Sequence, residues 1–248
     1  MIRQGDCMLL LPELADESVD MTLTSPPYDG LREYGGCPDV GELASMLLAK
    51  TKPGGVCVWV ADDQTVGGGE TCSSFRHALA FKDAGWLLND TMIWRKKNPM
   101  PQVRQPRYSQ SFEYMFVFSK GAPKTFTPIM VPCKCAGRRY DSTCKQIGGG
   151  RKAKDFTINR TKKESNVWDI AIAQNKTGHP AAFPLELAKR HISTWSAPGD
   201  LVLDPFEGSG TTAVACRMLG RRHIGFELDP TYAEMARKRE EEVENLWI

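Results

Sequence analysis

The sequence lacks the features of a membrane protein or a secreted protein. No segment approaches the roughly 18 uninterrupted apolar residues of a membrane span, and residues 1–6 lack the apolar run of a signal peptide. Eight cysteines are present, but the chain is not short, and Cys57 and Cys216 lie within apolar periodic segments. We therefore expect reduced thiols and a cytoplasmic protein rather than a disulfide framework.

The chain as a whole also lacks a strong excess of charge of either sign, since the formal net charge is only +2. The distribution is uneven, because residues 134–163 contain ten Lys and Arg against Asp141 and Asp155, a net +8 that leaves the remainder at −6. A basic segment on an otherwise acidic chain predicts contact with a polyanion. A solvated loop is the alternative, but the glycines at 148–150 and two interleaved aromatic side chains favour the polyanion.

Hydrophobic periodicity predicts strands that alternate with helices. The predicted strands are Val19–Thr24, Val56–Ala61, Leu87–Arg95, Glu113–Ser119, Leu201–Phe206 and His223–Leu228. The predicted helices are Glu42–Lys50, Ser74–Ala84, Pro184–Trp195, Thr211–Leu219 and Pro230–Glu244. A turn is expected at Lys52–Gly55, and residues 122–165 lose periodicity, which predicts an insertion with little regular structure. The alternation implies an α/β fold with a largely parallel sheet and right-handed crossovers.

Residues 24–28 have the sequence Thr-Ser-Pro-Pro-Tyr and directly follow the first predicted strand. Pro26 and Pro27 remove two backbone donors and hold φ near about −65°, and the residue before each proline is pushed to an extended conformation. The result is a stiff loop of carbonyl acceptors between the Ser25 hydroxyl and the Tyr28 ring. Such a loop suits a planar base that bears an amine, whereas a strand-ending turn with a packing tyrosine is the plainer alternative.

A glycine-rich turn joins the predicted strand 201–206 to the following helix. Gly208, Gly210 and Ala213 fit the nucleotide-type pattern Gly-x-Gly-x-x-Gly/Ala in the strand–turn–helix context that it requires. Glu227 ends the next predicted strand, where an acidic side chain would accept hydrogen bonds from ribose hydroxyls. These features predict an adenosine-bearing cofactor in preference to a glycine turn with an exposed Glu.

Three cofactor classes compete for this turn. No Gly-Lys-Ser/Thr follows the glycines, which excludes an ATP-binding P-loop. A nicotinamide dinucleotide needs a second mononucleotide half, which would have to precede this one in sequence. Asp204 at the entrance of the turn suits a positively charged ligand better than a pyrophosphate, and S-adenosylmethionine carries a sulfonium and an amino group. We expect S-adenosylmethionine, with a dinucleotide oxidoreductase as the alternative.

Ser25–Tyr28 and Asp204–Thr212 together resemble the S-adenosylmethionine-dependent DNA amino-methyltransferases, which act on cytosine N4 or adenine N6. The order of Ser-Pro-Pro-Tyr, basic segment and glycine turn is similar to the β arrangement of that family. The resemblance implies a Rossmann-like methyltransferase fold with a mostly parallel seven-stranded sheet, circularly permuted, and an inserted target-recognition segment. It divides the chain into a catalytic half (1–121), a basic target-recognition insertion (122–165) and a cofactor-binding half (166–248).

Candidate site residues follow from this resemblance, position by position. The implied catalytic residues are Ser25, Pro26, Pro27 and Tyr28. The implied cofactor-binding residues are Asp6, Thr24, His179, Pro180, Phe183, Asp204, Phe206, Gly208, Ser209, Gly210, Thr211 and Glu227. The candidate DNA-binding residues are Arg138, Arg139, Arg151, Lys152 and Lys154. No metal site is expected, because Cys133, Cys135 and Cys144 have no well-spaced fourth ligand.

The implied reaction is direct methyl transfer to the exocyclic amine of a base flipped out of duplex DNA. In this family Ser before Pro-Pro-Tyr is commoner in N4-cytosine enzymes and Asp in N6-adenine enzymes, so Ser25 favours cytosine N4. Alternatives are an N6-adenine enzyme, an inactive nucleic-acid-binding module, and an RNA or protein amine methyltransferase. Double-stranded DNA is the expected partner, and a homodimer and a cognate restriction endonuclease are further candidates. The expected location is a prokaryotic cytoplasm, at the nucleoid, for an enzyme that is either cellular or phage-encoded.

Overall fold

The structure is a computed structural model that describes residues 1–27, 38–99, 106–140, 156–172 and 183–244. The chain divides into two compact units, Met1–Thr127 with Asn166–Ile248, and Pro128–Ser165. The second unit lies within the predicted insertion at 122–165. No helix in the described ranges is long and apolar enough to cross a membrane.

The first unit is built on one sheet, which has eight strands among the described residues. In chain order they are β1 (Ile2–Gln4), β2 (Val19–Thr24), β3 (Thr51–Ala61), β4 (Leu87–Lys96), β5 (Phe112–Ser119), β6 (Val167–Ile170), β7 (Leu201–Asp204) and β8 (Arg222–Glu227). The helices are α1 (Cys7–Leu10), α2 (Val40–Lys50), α3 (Ser73–Asp83), α4 (Leu185–Trp195), α5 (Thr211–Met218) and α6 (Pro230–Glu244), and a short 3-10 helix spans Leu11–Glu13.

The spatial order of the strands is β1-β8-β7-β2-β3-β5-β4-β6. Neighbouring strands are parallel, except that β5 runs antiparallel to both β3 and β4. The prediction of an α/β fold with a mostly parallel sheet is therefore confirmed. The part of the sheet that the described residues form has eight strands rather than seven. Sequence periodicity missed β1 and β6, because such short edge strands form through their pairing with β8 and β4.

β3 begins earlier than the sequence pattern predicts. The prediction of a turn at Lys52–Gly55 is wrong, because these residues lie within the strand itself. Between Thr51 and Val56 the pairing of β3 with β2 shifts register, so the extra residues form a bulge. Gly54 has φ +78° and its N–H donates to the carbonyl oxygen of Lys120 at 2.7 Å. This bond anchors the bulge to the residue that follows β5.

An aromatic core holds α2 and α3 against the sheet. Trp59, Phe81 and Phe118 are fully buried and belong to one apolar cluster, in which the Phe81 and Phe118 rings stack with their centroids 4.5 Å apart. The indole nitrogen of Trp86 donates to the carbonyl oxygen of Ala44 in α2 at 2.9 Å. This packing fixes β3 beside β2 and so supports the residues that follow the ends of both strands.

The second unit contains two short antiparallel ladders among its described residues. Met130–Pro132 pairs with Thr161–Lys163, and Arg139–Tyr140 pairs with Phe156–Thr157. The segment is therefore more regular than the sequence predicts. Pairing between pieces this short leaves no hydrophobic period that could be recognised in the sequence.

Candidate functional site

The direction of chain crossover reverses between β7 and β2, which are parallel neighbours. After β7 the chain passes through α5 to β8, and after β2 it passes through α2 to β3 on the other side. In open α/β sheets a ligand binds outside the carboxyl ends of the strands at such a switch point. β2 ends at Thr24, directly before Ser25–Pro27, and β7 ends at Asp204, directly before the glycine turn. The fold thus brings the two predicted loops together.

The carboxylate of Asp204 binds the residue that precedes the first loop and residues in and after the second. Its Oδ1 accepts hydrogen bonds from Thr24 Oγ1 at 2.6 Å and from the Phe206 N–H at 3.0 Å, and its Oδ2 accepts from Thr212 Oγ1 at 2.6 Å. Asp204 is only 1% exposed. Burial and then the nearby Glu207 carboxyl raise the pKa of Asp204 to about 7, while the three hydrogen bonds act in the opposite direction.

The two glycines of the turn are required for different reasons. Gly208 has φ +56° and Gly210 has φ +88°, a region that glycine adopts at little cost. A Cβ on Gly210 would also lie 2.8 Å from the Cα of Ala236, so this glycine permits α6 to approach the start of α5. The Gly208 N–H instead donates to Glu227 Oε2 at 2.7 Å, which ties the turn to the end of β8.

The other residues of the turn differ in their surroundings. Ser209 is buried, and both its carbonyl oxygen and its hydroxyl accept hydrogen bonds from Arg239 in α6. Thr211 is buried at the start of α5. Phe206 is half-buried and its ring meets the Trp59 ring edge-on, with centroids 6.3 Å apart. Ser209 therefore holds the turn to α6, whereas Phe206 keeps an accessible part.

β1 and β8 bring two more predicted cofactor residues to the same edge of the sheet. The Gly5 N–H donates to the carbonyl oxygen of Glu227 at 2.9 Å. This bond places the next residue, the exposed Asp6 that caps α1, beside the end of β8. Glu227 Oε1 also accepts from the Asp229 N–H at 2.9 Å. Carboxylate oxygens at these strand ends are the acceptors that ribose hydroxyls and an adenine amine need. The residues therefore fit an adenosine-bearing group.

A buried Glu–His pair beside the glycine turn is absent from the sequence predictions. Glu207 Oε2 and His223 Nε2 are 2.7 Å apart, and the two side chains are 0% and 2% exposed. Glu207 Oε1 accepts from the Ala213 N–H at 3.0 Å, one of the donors that the first turn of a helix leaves unsatisfied. Burial raises the pKa of Glu207 to about 8 and lowers the pKa of His223 to about 4. A charged residue inside a glycine turn is the only sequence signal for this pair.

A second unpredicted polar cluster lies at the carboxyl ends of β3 and β4. Lys96 Nζ is 2.8 Å from Glu113 Oε1 and 3.5 Å from Asp62 Oδ2. Burial and then the Glu113 charge raise the pKa of Asp62. The cluster gathers residues from three separate segments, so no local sequence pattern reveals it.

The acceptor loop, Ser25–Pro27, is described as far as its second proline. Ser25 and Pro27 are half-buried and Pro26 is buried. Phe183 is buried just before α4. The predicted site residues Tyr28, His179 and Pro180 lie outside the described residues.

Two of the five candidate DNA-binding residues fall in the described part of the second unit. Arg138 is exposed, and Arg139 lies in the ladder opposite Thr157. Arg151, Lys152 and Lys154 lie outside the described residues, so the interface with DNA stays a prediction.

Known proteins resemble this chain in sequence and in fold. Residues 19–238 match the DNA methylase family N6_N4_Mtase. The chain is 42% identical over 243 residues to the orphan methyltransferase M.BamHII of Bacillus amyloliquefaciens, with 91% of this chain and 90% of that protein covered. Its fold is similar to that of the PvuII DNA methyltransferase, described as cytosine-N4-specific, with a TM-score of 0.73, 23% identity and coverage of 99% and 90%. It is also similar to the M1.HpyAVI–SAM complex, with a TM-score of 0.65, 25% identity and coverage of 96% and 98%.

Proposed function

Because this chain belongs to the N6/N4 DNA methylase family, we propose that it methylates the exocyclic N4 amine of cytosine in DNA. It is a DNA methyltransferase and its methyl donor is S-adenosylmethionine. The observation that carries the proposal is the meeting of the acceptor loop and the glycine turn at the switch point, where Asp204 binds Thr24, directly before the loop, and Thr212, in the helix directly after the turn. Ser25, rather than Asp, at the head of Pro-Pro-Tyr favours cytosine N4 over adenine N6.

The acceptor loop supplies what a weakly nucleophilic amine requires. The nitrogen lone pair is conjugated with the base ring, so the amine hydrogens must be held while the nitrogen rehybridises. In this proposal the Ser25 oxygen and the Pro26 carbonyl accept those hydrogens, and the Tyr28 ring stacks on the base. S-adenosylmethionine, when bound, supplies a methyl group activated by a sulfonium. No covalent enzyme intermediate is needed, so positioning and local electrostatics dominate catalysis.

The proposed cofactor site follows the carboxyl ends of β7, β8 and β1. Glu227 binds the ribose hydroxyls, Asp6 binds the adenine amine, and Phe206 offers an apolar surface. Thr24, Asp204 and Ser209 are engaged inside the protein and contribute by shaping the site. The other proposed contributors are His179, Pro180, Phe183, Gly208, Gly210 and Thr211.

We further propose that the basic insertion contacts duplex DNA and that the target base is flipped out to reach the acceptor loop. The net charge of +8 over residues 134–163 supports phosphate contact, with Arg138, Arg139, Arg151, Lys152 and Lys154 as candidates. A homodimer, a cognate restriction endonuclease and a position at the bacterial nucleoid stay predictions. The relative M.BamHII is named an orphan methyltransferase, which favours a solitary enzyme.

Ser25→Ala is expected to lower the rate of methyl transfer to duplex DNA by about 100-fold or more, because one acceptor for the amine hydrogens is lost. Cofactor affinity should not change. Single-turnover transfer of a labelled methyl group and calorimetric titration of the cofactor measure the two effects. Ser45→Ala is the matched control, since Ser45 donates to Gly41 on the exposed side of α2. Full activity of Ser25→Ala would remove the catalytic assignment.

The target base is identified by digesting the methylated DNA to nucleosides and separating them by mass spectrometry. The expected product is N4-methyldeoxycytidine. N6-methyldeoxyadenosine would establish the alternative within the same family. Cofactor binding without any methylated nucleoside would instead indicate an inactive nucleic-acid-binding module.

A further inference from the structure

Asp204 connects the part of the chain that precedes the acceptor loop to the part that follows the glycine turn. Thr24, the last residue of β2, donates to one carboxylate oxygen, and Thr212, in the first turn of α5, donates to the other. We propose that this Thr24–Asp204–Thr212 network positions the acceptor loop against the methyl donor and so sets the rate of transfer. The inference rests on the proposed function, and it assigns a role to Thr212 that sequence analysis does not.

Burial makes this network a rigid connection. Thr24 and Thr212 are 0% exposed and Asp204 is 1% exposed, so water does not replace either hydroxyl. Both hydrogen bonds are 2.6 Å long, as expected for hydroxyl donors to an ionised carboxylate. A third bond, from the Phe206 N–H, holds the same carboxylate to the glycine turn. The orientation of Asp204 is therefore determined by three separate elements.

The rate of a methyl transfer depends steeply on this kind of alignment. Donor carbon and acceptor nitrogen must meet in line at near-contact distance, and a displacement of about 1 Å costs on the order of 100-fold in rate. The acceptor loop begins one residue after Thr24, so a change in the position of Thr24 is transmitted directly to Ser25. Loss of the network should therefore impair transfer more than cofactor binding.

Thr22 provides a control on the same strand. It points to the same face of β2 as Thr24, because side chains two apart in a strand share a face, and it is also 0% exposed. Its Oγ1, however, has no hydrogen-bond partner among the described residues. Thr22→Val and Thr24→Val thus remove the same atom from similar surroundings, and only the second breaks a link to Asp204.

Thr24→Val is expected to lower the single-turnover rate by about 10- to 100-fold, with little change in cofactor affinity. Thr24→Ser, which keeps the hydroxyl, should restore most of the rate, and Thr212→Val should repeat the loss from the α5 side. Thr22→Val should retain the wild-type rate. Thermal unfolding and cofactor titration of each variant show that the comparison is made between folded proteins.

The pH profile provides a readout that a structural defect alone would not give. Both hydroxyls can donate to Asp204 at the same time at full strength only while it is ionised, because protonation turns one of its two oxygens into a donor, so the wild-type rate should fall as pH drops through about 7. The Thr24 hydrogen bond favours the ionised form, so Thr24→Val should raise the pKa of Asp204 and move this acidic limb to higher pH. The titratable groups that face Asp204 are Glu207 in the turn, Cys57 in β3, Cys216 in α5 and His223 in β8.

Each outcome decides the matter. A wild-type enzyme that methylates DNA, together with a Thr24→Val variant of equal rate and unshifted pH profile, would overturn the positioning role and leave the proposed function intact. Equal losses in Thr22→Val and Thr24→Val would also overturn it, because the cause would then be packing. A folded, cofactor-binding wild type that transfers no methyl group to DNA would overturn the proposed function, and this inference with it.

Discussion

Gly225→Ala is expected to destabilise the protein by about 3 kcal/mol or more, although the change adds a single methyl group. A Cβ at position 225 would lie 2.4 Å from Glu207 Oε2 and 2.9 Å from His223 Cε1. These atoms belong to a buried pair, so the methyl group has to separate Glu207 from His223 or distort β8. Urea denaturation of the wild type and the variant measures the difference in the free energy of unfolding.

A double mutant tests whether this crowding is the cause. Glu207→Ala removes the side chain that the new methyl group would meet, so Gly225→Ala combined with Glu207→Ala should cost much less than the sum of the two single changes. Gly69→Ala is the control, because a Cβ there has its nearest atom at 3.9 Å and should be tolerated. Additive effects in the double mutant would contradict the proposed steric conflict.

Glu207→Gln is expected to remove a large pH dependence from the stability of the protein. Burial raises the pKa of Glu207 from 4.5 to about 8. Below pH 4.5 the carboxyl is protonated in both the folded and the unfolded chain. As pH rises toward 8, only the unfolded chain releases the proton, so the folded state progressively loses up to about 5 kcal/mol relative to it. The Gln side chain of the variant has no such proton to lose, so the stability of the variant relative to the wild type should increase as pH rises.

The difference between variant and wild type isolates Glu207 from its neighbours. Burial lowers the pKa of His223 to about 4, which costs stability as pH falls below about 6.5, a range that overlaps the lower part of the Glu207 range, but His223 is present in both proteins. Asp204, with its raised pKa, contributes in the same direction as Glu207 but is present in both proteins. Asp16→Asn is the control. Lys50 lowers the pKa of this exposed carboxyl, so removing it should not give a variant whose advantage over the wild type grows with pH. A difference that stays constant in urea denaturation from pH 5 to pH 9 would contradict the prediction.

Strong local patterns allowed most of the regular elements to be recognised from the sequence. β2 has the bounds that its apolar run predicts, and α6 spans the predicted Pro230–Glu244. The glycine turn and the Pro-Pro loop were also recognised, because proline restricts φ and glycine permits positive φ wherever they occur. β1 and β6 escaped recognition, since neither is long enough to show a period and each exists through pairing with a distant strand.

The candidate site was predicted less completely than the fold. Asp204 was expected to face a charged ligand, whereas the structure gives its carboxylate three partners inside the protein. Glu207 received no role from the sequence, and its partner His223 is 16 residues away. Burial and partner together decide what an ionisable group does, and neither can be deduced from the residues next to it in sequence.

The sequence by itself determined the two loops to which we assign the chemistry and the family that they resemble, because stiff prolines, permissive glycines and apolar runs act through local backbone geometry. Only the tertiary structure decided that the loops meet. Thr24 and Asp204 are 180 residues apart and become neighbours because β2 and β7 pair at the switch point of the sheet. The buried hydrogen bonds that join Asp204 to the end of β2 and to the start of α5 depend on that pairing, which is a property of the whole sheet.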